Sequence, residues 1–221
     1  MADMIRISAS YLFNIMLKDT DGEEVFLLTK GERRDQYQPI GGAYKYYPEA
    51  RPFLESLGAQ FEESSRGVKS DDDLRLSIPK ENVYDFEQWY RSGVGREVNC
   101  TRELYEELVS FMSDDDQKEF ESFDGFLLKA GEFEEFVENG VNTIKPMDII
   151  GIVPSEIQTQ LIFALIHKYP ERFLLATRKE IEEGKVVGEK SKIVKNIGDH
   201  TKKIFETDIP ENSEKQFGES E

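Results

Sequence analysis

Apolar residues recur along this chain in two rhythms. The extended rhythm comes first. Tyr11-Leu12-Phe13-Asn14-Ile15-Met16-Leu17 is a compact apolar run and predicts a buried strand. Asp19-Thr20-Asp21-Gly22 is a turn signal. Glu24-Val25-Phe26-Leu27-Leu28-Thr29 predicts a second strand, antiparallel to the first. Leu74 to Ile78 alternates apolar and polar, as a half-exposed strand does. Phe123 to Lys129, a loosely alternating Glu132 to Val137, Met147 to Val153 and Phe173 to Thr177 supply the remaining predicted strands.

The helical rhythm appears between them. Pro48 to Gly58 reads as a short helix stopped by glycine. Over Glu81 to Tyr90, the residues Val83, Phe86, Trp89 and Tyr90 fall at helical spacing and predict a docking face. After Ser155, a helix start, Ile157, Leu161, Ala164, Leu165 and Tyr169 keep helical spacing up to Pro170. Arg178 to Gly184 predicts a helical turn, and Ile193 to Phe205 a last amphipathic helix. Ser64 to Asp73 is polar, and Glu206 to Glu221 is an acidic segment read as a disordered tail. Strands interleaved with helices predict an α/β fold with a mixed sheet. The expectation is a single domain over residues 1–205 followed by the tail 206–221.

The stretch Gly95 to Val109 carries the most chemistry. Written as a helix, it puts Val98, Leu104, Tyr105, Leu108 and Val109 in one apolar arc. Glu103, Glu106 and Glu107 lie on the far side. Glu103 and Glu107 are four apart and repel each other, which destabilises an isolated helix. A divalent cation is the usual compensation, since hard cations take carboxylate oxygens. A solvated face in an acidic protein accounts for the spacing equally well.

Composition sharpens this picture. The formal net charge is −17 over 221 residues. That argues against sequence-independent nucleic-acid binding and against an anionic membrane surface. An anionic substrate would need cations to offset repulsion. One cysteine, Cys100, rules out an internal disulfide and suits a reducing cytoplasm. Met1 to Arg6 has no signal-peptide pattern, and no apolar run approaches the ~20 residues of a membrane span. A cytoplasmic protein is expected.

Tyr37-Gln38-Pro39-Ile40-Gly41-Gly42-Ala43-Tyr44-Lys45 adds a second motif. Adjacent glycines after an extended segment let a backbone approach a ligand closely, or simply serve a loop. Together with Arg102-Glu103-Leu104-Tyr105-Glu106-Glu107-Leu108, this resembles the two halves of the Nudix hydrolase box. The details are most similar to the SMODS-associated branch, the Nudix domains found with bacterial cyclic-nucleotide synthases of antiphage systems. Asp73 to Leu76, the tryptophan-containing helix, Arg96-Glu97 and His200-Thr201-Lys202-Lys203-Ile204 carry that closer likeness.

The resemblance implies a Nudix α/β/α sandwich with an insertion at about residues 44–94 inside the box. It implies Glu103 and Glu107 as primary ligands of Mg2+ or Mn2+, and Glu106 as a further ligand or the residue that orients water. Arg102 would hold the carboxylates. Gly41 and Gly42 would line the site, and Lys45 would contact a phosphate. A metal-activated water would attack a diphosphate linkage of a nucleotide or nucleoside diphosphate compound.

Two positions depart from the pattern. The family's first box glutamate, eight before the arginine, falls on Val94, and the glycine after the paired glutamates is Val109. Glu97, Glu132, Glu134, Glu135 and Asp148 are the candidates for a remaining ligand. The departures keep a second reading in view, a nucleotide-sensing module that binds without hydrolysis and signals to a protein partner. A third is an adaptor whose acidic surface docks a partner. Aromatic stripes in the insertion fit a homodimer.

Overall fold

The computed structural model describes residues 3–31, 35–62, 72–187 and 194–208. In chain order the elements are β1 Met4–Ser8, β2 Ser10–Lys18, β3 Glu24–Lys30, β4 Tyr37–Gln38, β5 Gly41–Ala43, α1 Arg51–Ser56, β6 Gln60–Phe61, β7 Arg75–Pro79, α2 Val83–Ser92, α3 Thr101–Glu107, α4 Asp114–Gln117, β8 Gly125–Lys129, β9 Glu135–Glu138, β10 Val141–Ile144, β11 Met147–Ile152, α5 Glu156–Lys168, β12 Phe173–Thr177, α6 Arg178–Glu183, β13 Lys185–Val187 and β14 Val194–Asn196. A 3₁₀ helix, Asp199–Phe205, closes the described chain. The fold is α/β with a mixed sheet, as expected. None of the helices among the described residues is long and apolar enough to cross a membrane.

The chain divides into two compact units. The first comprises residues 1–11, 41–101 and 130–148. Its sheet runs β6-β7-β1-β10-β9. β1 is parallel to β10, and the other pairs are antiparallel. The alternation of β1 explains its central place. Ile5 and Ile7 are fully buried, while Arg6 reaches Glu62 at 2.5 Å. Phe86 and Tyr90 of α2 are buried with Leu54, Leu76 and Ile78. The aromatic stripe is a docking face, as its spacing predicts. Trp89 packs its ring on Phe86 and Phe53, 5.4 and 5.9 Å away.

The β9–β10 hairpin went unread in the sequence, although Asn139-Gly140 is a strong hairpin signal. Both residues have positive φ, 51° and 79°, as a two-residue primed turn requires. The register Glu138↔Val141 brackets that turn.

The second unit comprises residues 12–40, 102–129 and 149–221. Its sheet is ordered β12-β3-β2-β11-β8, with β4 beside β3. The predicted β2–β3 hairpin is present, with Met16 opposite Phe26. β3 is buried at five successive positions, Val25 to Thr29, because it lies inside the sheet with β2 and β12 on either side. The predicted α5 is present behind its serine. Ser155 Oγ accepts from Gln158 N–H at 3.2 Å, and Gln158 Oε1 accepts from Ser155 N–H at 2.9 Å. This is a capping box, and removing its hydroxyl leaves the Gln158 N–H unserved. Ser155→Ala is expected to lower unfolding free energy by ~1 kcal/mol, read as a shifted urea midpoint at unchanged slope.

The predicted terminal helix takes a different form. Val194–Asn196 pairs as a strand with Lys185–Val187, and a helix begins only at Asp199. Gly198, extended at φ −68° and ψ 140°, separates the two. Helix-period spacing of Ile197, Thr201 and Ile204 concealed that break; these three side chains are nonetheless all buried. Ile193, most of the polar stretch Ser64 to Asp73, and the tail from residue 209 lie outside the described residues.

Candidate functional site

In the first unit, β5 supplies Gly41 and Gly42, and the chain continues as an extended segment through Tyr47. That segment is held on both sides. On one side, Leu74 N–H donates to Tyr44 O at 2.7 Å and Tyr46 N–H to Asp72 O at 2.8 Å. On the other, Glu97 N–H donates to Lys45 O and Tyr47 N–H to Gly95 O, both at 2.8 Å. Lys45 to Tyr47 and Gly95 to Glu97 therefore form a short antiparallel clasp, with Tyr46 opposite Arg96. The segment after the glycine turn and the segment approaching α3 are neighbours, though residues 48–94 intervene.

Arg96 fastens this clasp. It is 8% exposed. Its Nε donates to Tyr90 O and its Nη1 to Glu97 O, each at 2.6 Å. Its guanidinium lies 3.9 Å from the Tyr90 ring centre and 5.1 Å from that of Tyr44. Two carbonyls and two rings thus solvate a cation that has left water. Glu97 is 6% exposed, and its carboxylate accepts from Lys45 N–H at 3.3 Å. The Lys45 ammonium is 3.3 Å from Asp72. A phosphate at Lys45 would therefore compete with a carboxylate already present.

Asp148 belongs to a buried polar cluster of the same unit. Its Oδ2 accepts from Tyr44 Oη at 2.5 Å and its Oδ1 from Gly131 N–H at 2.7 Å. Burial, reinforced by the charge of Asp148, pushes the Tyr44 hydroxyl far above its ordinary pKa, so it stays a donor. Cys100 Sγ lies 3.4 Å from Tyr44 Oη. Burial pushes its thiol up to about 11, the Tyr44 hydrogen bond opposing the shift. The raised value favours the folded state at low pH, an advantage lost as pH rises from about 9 through 11. At pH 8, alkylation of Cys100 is expected to run at least about tenfold slower in folded than in urea-unfolded protein, followed by mass spectrometry.

In the second unit, α3 is shorter than its pattern suggests. It starts at Thr101, where Asn99 Oδ1 accepts from Thr101 N–H at 2.9 Å. Gly95 to Glu97, expected as its first turn, is committed to the clasp. Two residues assigned to the apolar arc are corrected by this. Val98 is 60% exposed because it precedes the helix, and Tyr105 is 51% exposed with its hydroxyl on Gln117. Leu104, Leu108 and Val109 are buried as expected.

Arg102 and the three glutamates share α3. Arg102 Nη1 lies 2.6 Å from Glu103 Oε1 and 3.6 Å from Glu106 Oε2. The Glu103 side chain is 17% exposed and that of Glu106 57%. Glu107 is intermediate. The arginine thus gathers two carboxylates; the i,i+4 pair with exposed Glu106 contributes only ~0.3–0.5 kcal/mol, while the pair with Glu103 is largely buried.

The donors are all hard oxygens and fit a small divalent cation in type; Mg2+ needs only one or two carboxylates when it keeps its waters. Among the described residues, however, no three His, Cys, Asp or Glu side chains are gathered as a ready-made metal site. The other ligand candidates are placed as follows. Asp148 is engaged by Tyr44, and Glu135 by Lys80 at 2.7 Å. Glu132 and Glu134 are exposed, and Glu97 is buried. Arg96 is the structural anchor of this region that spacing and composition do not single out; its one sequence signal is the arginine in the closer family likeness.

Residues 4–205 match the family model described as the SMODS-associated NUDIX domain. Comparison with curated proteins finds no match.

Proposed function

The chain belongs to the SMODS-associated NUDIX family, and we propose on that footing that it is a magnesium-dependent phosphoanhydride hydrolase of a nucleotide or nucleoside diphosphate compound, serving bacterial antiphage defence. The observation that carries this reading is the carboxylate face of α3. It sets Glu103, Glu106 and Glu107 on one polar side, with Leu104 and Leu108 anchoring the other in the core.

Glu103 and Glu107 would hold the cation, and Glu106 would hold or orient water. When bound, Mg2+ would lower the pKa of water and offset charge on a phosphoryl group. The protein's own contribution is positional. Arg102 restrains Glu103 and Glu106 while neutralising part of their repulsion. The clasp fixes the path of the chain beyond Gly41-Gly42. The test is a substrate panel in Mg2+ or Mn2+ read by mass spectrometry. It includes nucleoside triphosphates, dinucleoside polyphosphates, ADP-ribose, NAD and cyclic oligonucleotides. Metal-dependent cleavage of any one supports hydrolysis, and no product from any overturns it.

A nucleotide sensor is the second reading. Val94 supports it, standing 70% exposed where the family's first box glutamate belongs. So does the lack of a preassembled acidic trio among the described residues. Calorimetry on the same panel separates the two readings: tight binding with intact nucleotide recovered favours the sensor.

A further inference from the structure

We propose that two copies of this chain associate through β9, pairing antiparallel edge to edge across a twofold axis at Val137. β9 is the last strand of its sheet, and among the described residues its outer edge takes no backbone hydrogen bond. Phe136 is 43% exposed and Val137 68%. The turn at Asn139-Gly140 makes Glu138↔Val141 the hydrogen-bonded pair of the hairpin. Pairs alternate along an antiparallel ladder, so Val137 turns its own N–H and C=O away from β10, toward the open edge.

Edge strands are normally protected by charge, and Glu135 and Glu138 are placed to do this. Here their charge is cancelled. Lys80 lies 2.7 Å from Glu135. Lys145 hydrogen-bonds Glu138, and Arg6 lies 3.8 Å from the same carboxylate while also pairing with Glu62. Three cations thus face three carboxylates. In a chain of net charge −17, both carboxylates of β9 itself are matched by cations, so two copies can meet along this strand with less repulsion than acidic surfaces would impose.

The charges also favour a second copy over an unrelated strand. A twofold axis perpendicular to the sheet puts one residue opposite itself. With Val137 there, its outward N–H and C=O pair reciprocally with those of the second copy. Phe136 then falls opposite Glu138 of the second copy, beside the Lys145 held there. Lys145 Nζ already lies 5.9 Å from its own Phe136 ring, so each lysine gains a second ring. The other exposed apolar strand, β8, is less available, because its Leu128 carbonyl accepts from Asp208 N–H at 2.8 Å.

Sedimentation equilibrium of the full chain tests this. The wild-type mass should rise to that of two copies as concentration increases. Val137→Lys sets like charges against each other on the axis and should lower the association constant at least tenfold, with unchanged circular dichroism. Val137→Pro removes only the outward N–H and should do the same; if it misfolds, the lysine variant decides. A wild-type chain that stays monomeric at every concentration overturns the proposal, and is also the result expected if the edge serves a different protein. Dimerisation of Val137→Lys at wild-type strength overturns it too.

Discussion

Glu103→Gln and Glu107→Gln should each cut magnesium-dependent turnover by about a hundredfold or more. The size follows from the charge that must be offset. Losing several kcal/mol of cation-mediated stabilisation costs a factor of ten per ~1.4 kcal/mol. Stability should barely change. Either substitution removes the Glu103/Glu107 repulsion, while Glu103→Gln also gives up the largely buried 2.6 Å Arg102 pair and keeps an amide oxygen that can still accept from it. Those small effects oppose each other. The measurement is kcat/KM on whichever compound of the panel is cleaved, beside a denaturation curve. Wild-type turnover in either variant would remove the metal assignment from α3.

The second large effect is structural. Arg96→Ala is expected to lower unfolding free energy by ~3 kcal/mol, measured by urea denaturation. Two charge-assisted hydrogen bonds of 2.6 Å are lost; Glu97 O gives up its arginine donor, while Tyr90 O keeps only the longer bond from Gly93 N–H at 3.3 Å. Two ring contacts go with them. Arg96→Lys should recover less than half. An ammonium keeps the charge but lacks the planar fork that reaches two carbonyls and stacks on Tyr90 at once. Recovery to wild-type stability by lysine would mean that charge alone, and not the fork, holds the clasp.

The elements legible in the sequence are those whose burial repeats locally. β2, β3, β12 and α5 each announce themselves through an apolar run or a serine-capped 3.6-residue pattern. β1 is equally legible in the alternation of Met4-Ile5-Arg6-Ile7-Ser8, which buries Ile5 and Ile7, but at five residues the pattern is too short to stand out beside the apolar run of β2. The start of α3 could not be read. Val98 continues the helical arc on paper, and only a partner fifty residues away, at Lys45, makes Gly95 to Glu97 extended instead. The site divides the same way. Residue type and spacing pick out Arg102 and the glutamates. No local pattern says that Arg102 settles on Glu103, that Asp72 meets Lys45, or that Tyr44 meets Asp148.

The clasp between Tyr47 and Gly95 also sets a folding order. Its hydrogen bonds close a loop of nearly fifty residues, an entropic cost of ~3 kcal/mol before any contact repays it. Meeting that cost falls to what lies inside the loop: α1, β7 and α2, with β7 paired along β1. A helix such as α5, closed by contacts within its own thirteen residues, faces no comparable delay. The segment after the glycine turn and the approach to α3 therefore meet after the local helices have formed, though across a far shorter separation than β1 with β10 or β3 with β12. A nascent chain paused before Gly95 would already carry β1 through β7 and still lack the second strand of the clasp.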